Sequence, residues 1–287
     1  MPDLTRIPTP AAAPTPTAAP TLTASPARAA ERRAPARRSL LTEVRVVTGR
    51  CVRLTRRDVD AMIMALALPV MIMLMFVYLF GGAIQTGTAY VTYVVPGVLI
   101  LCVGFGATST ATLVCRDLSG GITDRFRSMD VPAAVLLNGQ VVASLVRNAI
   151  ATLLVMSVAF LIGFRPHAGL LDWLAAVGVL ALCVIALSWL SAAFGVLFRS
   201  PDAAGGFQFF LSFLTYPSSA FVPIATMPTW LQGFARNQPL THVVEALRGL
   251  LLDRPVGTHA VWAIGWSVAV TAVSVVVAGL LFRRRVR

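Results

Sequence analysis

The chain has no lysine; all 24 of its basic residues are arginine. That absence excludes a phosphate-binding loop of the G-x-x-x-x-G-K type, in which the lysine reaches the terminal phosphates. Charge of either sign is scarce, at 13 % of 287 residues, against about 25 % in soluble domains. There are only 12 acidic residues, and none falls in the long apolar runs. An ion-coupled transporter normally places carboxylates in its spans, so the energy for any transport must come from elsewhere. Cys51, Cys102, Cys115 and Cys183 make no C-x-x-C pair, which gives neither a disulfide framework nor a metal site. His167, His242 and His259 are scattered near predicted external span ends, where interface packing explains them better than metal ligation. With no converging nucleophile, acid or metal ligand, no catalytic residue is expected and the chain does not read as an enzyme.

What is abundant is apolar surface, at 57 % of residues. Runs 61–80, 93–114, 174–198 and 259–282 carry no charge. A helix rises 1.5 Å per residue, so about 20 residues cross a hydrocarbon core of about 30 Å. Two weaker runs complete the count: 141–164, interrupted by Arg147, and 203–222, which contains Pro217. The expected fold is an all-α integral membrane protein of six spans. Five crossings, with the proline-broken run failing to cross, is the competing count. If the third span starts at residue 141, Arg147 sits about 9 Å deep and its side chain can snorkel to the surface.

The arginines orient this bundle. A six-span layout places 19 of them on cytoplasmic segments; Arg165, Arg236, Arg248 and Arg254 are outside and Arg147 is within a span. Short Arg-rich loops remain on the cytoplasmic side, so both termini are expected there, in the plasma membrane. The same bias accounts for the net charge of +12 without nucleic acid. Residues 1–38 alternate proline with alanine and threonine. That composition cannot offset its own ordering entropy, and a disordered cytoplasmic tail is expected. The membrane-embedded part is then 39–287. Within 39–57, Leu40, Val44, Val47, Cys51 and Leu54 share a helical face while the arginines lie largely off it. This pattern suits a helix lying in the cytoplasmic interface; an irregular basic lead-in is the alternative.

Two connections stand out. Residues 115–140 form the longest cytoplasmic connection and carry Arg116, Asp117, Asp124, Arg125, Arg127 and Asp130, so the loop is expected to be exposed to a partner. Its Leu118-Ser119-Gly120-Gly121 matches the start of a nucleotidase signature, but that motif works only inside a nucleotidase domain, which this chain has no room for. The second connection, about 218–257, is broken by Pro223, Pro228 and Pro239 and carries Trp230, an interface-type aromatic. Leu240, Val243, Val244, Leu247, Leu250 and Leu251 form one stripe, with Glu245 and Arg248 three apart on another side. Short re-entrant or capping external helices are expected.

Two stretches closely resemble permease subunits of the type-2 ATP-binding-cassette exporters, daunorubicin-resistance-like branch. One is Gly121-Ile122-Thr123-Asp124-Arg125-Phe126-Arg127-Ser128-Met129. The other joins Ala220-Phe221-Val222-Pro223 and Met227-Pro228-Thr229-Trp230-Leu231 to Asn237-Gln238-Pro239-Leu240 and the residues up to Arg248. The resemblance implies a half-channel that pairs with a second, identical or closely related permease and with two copies of a separate nucleotidase. ATP and Mg would be bound by that nucleotidase, and no cofactor by this chain. It further implies a coupling segment at Asp124, Arg125, Phe126, Arg127 and Ser128. An external gate would be built from Pro223, Pro228, Trp230, Asn237, Pro239, Glu245 and Arg248. Phe207, Phe210, Phe213 and Arg147 are candidates for a substrate path, with aromatic packing between helices the simpler reading of the phenylalanines. The implied function is ATP-driven efflux of a bulky amphipathic drug or secondary metabolite. Export of lipid-linked polysaccharide and a non-transporting membrane anchor or immunity protein are the alternatives.

Overall fold

A computed structural model describes Gly49 and residues 59–82, 89–120 and 133–286, apart from the side chains of 59–66, 133–135, 208, 285 and 286. The predicted tail 1–38, the interfacial helix 39–57 and the segment Asp124–Ser128 lie outside the described residues. All regular structure described is helical. α1 (Val59–Met75) runs on through a wider turn at Phe76–Phe80. It is followed by α2 (Tyr90–Ser119), α3 (Ala133–Ile162), α4 (Leu170–Leu197) and α5 (Pro201–Phe213). A single 3₁₀ turn at Ile224–Thr226 leads to α6 (Thr229–Asn237), α7 (Pro239–Leu251) and α8 (His259–Val286).

These sequences are helical because an apolar surrounding leaves the backbone no partner but itself. α8 shows it: Val273, Val275, Val276 and Val277 are β-branched, of low helix propensity in water, yet lie in an unbroken helix. Local signals set the ends. Gly163 takes φ +110°, and the next amide, Phe164 N–H, turns back to Ala159 O at 2.9 Å, ending α3 with Phe164 fully buried. Ser200 Oγ accepts from Ala203 N–H and Pro201 occupies the first turn, starting α5.

Among the described residues four helices are long and apolar enough to cross a membrane: Tyr90–Ser119, Leu136–Ile162, Leu170–Leu197 and His259–Arg284; Ala67–Phe80 is shorter. Two boundaries differ from the sequence reading. α2 continues to Ser119 and α3 begins at Ala133, so the connection shrinks to 120–132. Asp117, expected in an exposed loop, is buried on α2. The predicted fifth span, 203–222, is helical only as far as Phe213. At 13 residues α5 is about 20 Å long, and turns continue through 214–222.

α2 is the spine, packed against α1, α3, α4, α5 and α7, while α4 lies between α2 and α8. Val94, Val95, Val98, Ile100, Leu101 and Val103 on α2 are inaccessible. α8 turns Val261, Val273, Val276 and Leu280 outward, an apolar surface suited to lipid. Close approach to the spine rests on two glycines. A Cβ at Gly195 would stand 2.6 Å from Ala111 O, and one at Gly97 would stand 2.7 Å from the Cα of Ala220. Gly97→Ala is expected to destabilise the fold by about 1–3 kcal/mol, the range for overpacking. Thermal unfolding in detergent checks this. Gly178→Ala, with nothing within 4 Å of the new methyl, should leave the midpoint unchanged or higher.

Candidate functional site

The turns after α5 pose a chemical problem. Backbone that leaves the helix in apolar surroundings exposes carbonyls, and each must find a partner. Side chains supply them at every second residue. Ser218 Oγ donates to Thr215 O, and Gln238 Nε2 donates to Pro217 O at 2.6 Å. Ser219 O accepts from Tyr93 Oη at 3.0 Å and from Arg248 Nη2 at 2.9 Å. Tyr90 Oη donates to Phe221 O at 2.9 Å. Apart from Ser218 itself, the donors come from α2, from Gln238 just before α7 and from Arg248 in the last turn of α7, so the turns after α5 are where the spine and the cap are tied together.

Arg248 is the centre of this arrangement. It is 5 % exposed. Its Nη1 bonds Glu245 Oε1 at 2.6 Å, Nη2 also donates to Tyr93 O at 3.1 Å, and the guanidinium lies 3.9 Å from the Tyr93 ring centroid. The partnered Glu245 is half-buried. Of the predicted gate residues, Glu245 and Arg248 therefore come together. The prolines delimit elements: Pro223 O accepts from Thr226 N–H at 3.0 Å in the 3₁₀ turn, Pro228 precedes α6, and Pro239 opens α7. Trp230 is 78 % exposed on α6, and Asn237 is exposed, its side-chain amide returned to Gly233 O at 2.8 Å. Tyr90, Tyr93, Ser218 and Gln238 were missed as site residues. Their signal was indirect: a proline at 217 after a short helix requires donors from elsewhere.

The four candidates for a substrate path do not form one lining. Phe207 stacks on Phe194 of α4 with centroids 4.1 Å apart. Phe210 and Phe213 face outward, at 69 % and 68 % exposure. Arg147 lies well inside α3 rather than near its start, and its Nη2 donates to Thr110 Oγ1 of α2 at 3.2 Å. Held by a neighbouring helix, it is not a simple snorkelling residue. Among the described residues no group of three or more His, Cys, Asp or Glu comes together to hold a metal.

Beside the Arg248 cluster, His242 of α7 and His259 of α8 hold their Nδ1 atoms 3.1 Å apart, with Trp262 stacked on His242. One ring must donate and the other accept. Burial, and then repulsion by His259, lowers the His242 pKa from its usual 6.5.

The architecture and these motifs agree with comparison to known proteins. The model of the ABC-2 type transporter family matches residues 42–252, most of the chain. The chain belongs to the ABC-2 type transporter family. It is 31 % identical over 199 residues, 69 % of each chain, to "Daunorubicin resistance ABC transporter permease protein DrrB1" of Streptomyces coeruleorubidus. It is 24 % identical over 191 residues, 67 % of this chain and 69 % of the relative, to "Probable doxorubicin resistance ABC transporter permease protein DrrC" of Mycobacterium tuberculosis. "Doxorubicin resistance ABC transporter permease protein DrrB" of the same species matches at 27 % over 169 residues, 56 % of each chain. An ABC-2 permease is a multi-pass membrane protein, and membership implies association with an ATP-binding-cassette subunit.

Two outcomes follow from the cap of this permease. Arg248→Met leaves the Glu245 carboxylate and two carbonyls without their cation, and should destabilise the protein by about 3 kcal/mol, the low end for breaking a buried pair. Adding Glu245→Gln should recover part of that loss in the same detergent unfolding assay. For His242, a folded pKa below the unfolded 6.5 means that the folded protein binds fewer protons in that window. Its contribution is present above pH 6.5 and is lost as pH falls below that value. The melting midpoint should therefore drop between pH 7.5 and 5.5, and His242→Gln should reduce the drop.

Proposed function

We propose that this chain is the membrane subunit of an ATP-driven exporter of bulky amphipathic drugs such as daunorubicin and doxorubicin. The observation that carries the reading is the family match over 42–252 together with a relative at 31 % identity named for daunorubicin resistance. With no lysine for a phosphate loop, ATP and Mg belong to a separate nucleotidase. Two copies of it would serve a pair of permeases in the plasma membrane. Asp124, Arg125, Phe126, Arg127 and Ser128, in the connection between α2 and α3, are the coupling segment in this reading. Its arginines pair with acidic groups of the nucleotidase and Phe126 fills an apolar pocket.

Six crossings with both termini cytoplasmic are part of the proposal. α1 with its added turn supplies the first crossing. Residues 201–222 supply the fifth, although their helix ends early. Support comes from their course beside α2. Ala204 clusters with Ala111 and Cys115, Ser212 and Thr215 lie beside Gly104, and Ala220 beside Gly97. From 113 to 97 along α2 is about 24 Å at helical rise, most of the hydrocarbon thickness. The pinned carbonyls let the last third cross without a helix. The Arg248 cluster then lies outside as a gate, with α6 in the outer interface and Trp230 facing lipid headgroups.

Deletion of the gene should raise cellular daunorubicin accumulation, and rescue should require both this chain and a nucleotidase. Rescue by either alone would contradict an ATP-driven permease. Cysteines introduced one at a time at Arg236 and Arg199 should be labelled from outside and inside respectively; the same side for both would refute six crossings. Arg125→Glu with Arg127→Glu should lower co-purification of the nucleotidase at least about tenfold, because charged hydrogen bonds contribute about 1.5–3 kcal/mol each. An unchanged complex would refute the coupling assignment.

A further inference from the structure

Asp117 is a carboxylate inside an apolar helix, 8 % exposed, and an ionisable residue in such a place marks function together with its partner. The partner is Gln140 of α3, whose Nε2 donates to Asp117 Oδ2 at 2.7 Å in a buried contact. Asp117 stands two residues before the end of α2, and Gln140 seven after the start of α3, so the bond closes the pair of helices that flank 120–132. It is the first of a series. Further along, Thr110 accepts from Arg147, and Gly106 faces Asn148 so closely that a Cβ there would lie 2.8 Å from Asn148 Nδ2. Gln140, Ser144, Arg147 and Asn148 recur at helical spacing and form one polar stripe on α3. Ser188 of α4 joins it by donating to Ser144 Oγ at 2.8 Å. The series covers residues 106–117 of the spine, about 16 Å at helical rise.

Stability alone does not call for this chemistry. A buried polar pair can be exchanged for apolar packing at little loss, whereas a polar pair fixes which residue faces which. Apolar helix faces slide past one another by a turn at small penalty; faces fixed by two donor–acceptor pairs and by the close fit of Asn148 against Gly106 do not. We propose that Asp117–Gln140, backed by Thr110–Arg147 and Gly106–Asn148, is a polar zipper that makes α2 and α3 one rigid lever, so that displacement of 120–132 by the nucleotidase is delivered to the whole bundle. The inference rests on the coupling role given above to that connection. α2 also touches α1, α4, α5 and α7, so a lever that includes it acts directly on four further helices. Asp117 and Gln140 are positioning residues and touch neither drug nor ATP.

The test uses the full permease with its co-purifying nucleotidase in proteoliposomes, with daunorubicin as the probe. Asp117→Leu with Gln140→Leu replaces the pair by apolar packing. The complex should still assemble and hydrolyse ATP, while daunorubicin moved per ATP falls about fivefold or more, the lower end for coupling between sites. Unchanged export per ATP would overturn the zipper. A second measurement leaves the zipper intact. Spin labels at Ser119→Cys and Val142→Cys, in a background without native cysteines, report the separation of α2 and α3. That distance should be the same before and after trapping with ATP and vanadate; a nucleotide-driven change would overturn the rigid lever. If the assembled wild type does not move daunorubicin at all, the drug assignment fails, and the spin-label distance still decides the lever.

Discussion

Hydrogen-bond satisfaction of backbone without water is the constraint on which this structure depends. The eight described α-helices meet it internally along their length. The stretch 214–222 does not, and its carbonyls at 215, 217, 219 and 221 are met by side chains instead. Much of the remaining architecture serves those bonds. Gly97 brings the spine close enough for Tyr90 and Tyr93 to reach. Pro239 starts α7 directly after Gln238, and one turn of helix sets Glu245 beside Arg248. Each bond is modest, about 0.5–1.5 kcal/mol net, or about 1.5–3 for those of the guanidinium. Leaving the carbonyls bare would be more damaging than these values suggest, because desolvation of an unpaired group costs about 1–3 kcal/mol.

The two polar constructions lie at opposite ends of α2. At the end near Ser119, Asp117 and Gln140 join the spine to α3. At the end near Tyr90, the tyrosines join it to the break in α5 and to α7. Between them α2 is apolar and almost wholly buried, from Val94 to Val103. A helix so enclosed cannot shift without carrying its neighbours. Under the proposed function, such a spine would link the connection where a nucleotidase acts with the external end proposed as the gate. The bonds at 214–222 also suit an element that rearranges, since side-chain donors can exchange partners more easily than an intact helical ladder can.

The long apolar helices α2, α4 and α8 were legible in the sequence because uncharged runs of 20 or more residues admit few other structures, and α3 was legible as a weaker run interrupted by Arg147. Their ends were less so. Asp117 and Gln140 read as loop by composition, yet the helices extend through them because the two side chains pair across the α2–α3 contact. The Glu245–Arg248 pair was visible as a three-residue spacing on one helix. Its links to Tyr93 and Ser219 were not, since those partners lie 155 and 29 residues away. Arginine counting has the same blind spot. It orients the chain, but treats Arg147 and Arg248 as charges to be tolerated, where each is a donor with a named acceptor. The phenylalanines of α5 divide: Phe207 stacks on Phe194 between helices, whereas Phe210 and Phe213 face outward, which packing between these helices does not describe.

The central claim is that one carbonyl, Ser219 O, is held jointly by Tyr93 and Arg248, and that this joint hold fixes the break in α5. A double-mutant cycle on unfolding free energy in detergent addresses it, using Tyr93→Phe, Arg248→Met and the combination. Independent sites add within about 0.3–0.5 kcal/mol, whereas residues sharing a partner deviate by about 0.5–3 kcal/mol. The account predicts a coupling above about 0.5 kcal/mol, the double variant losing clearly less than the sum of the single losses. Simple additivity would contradict it.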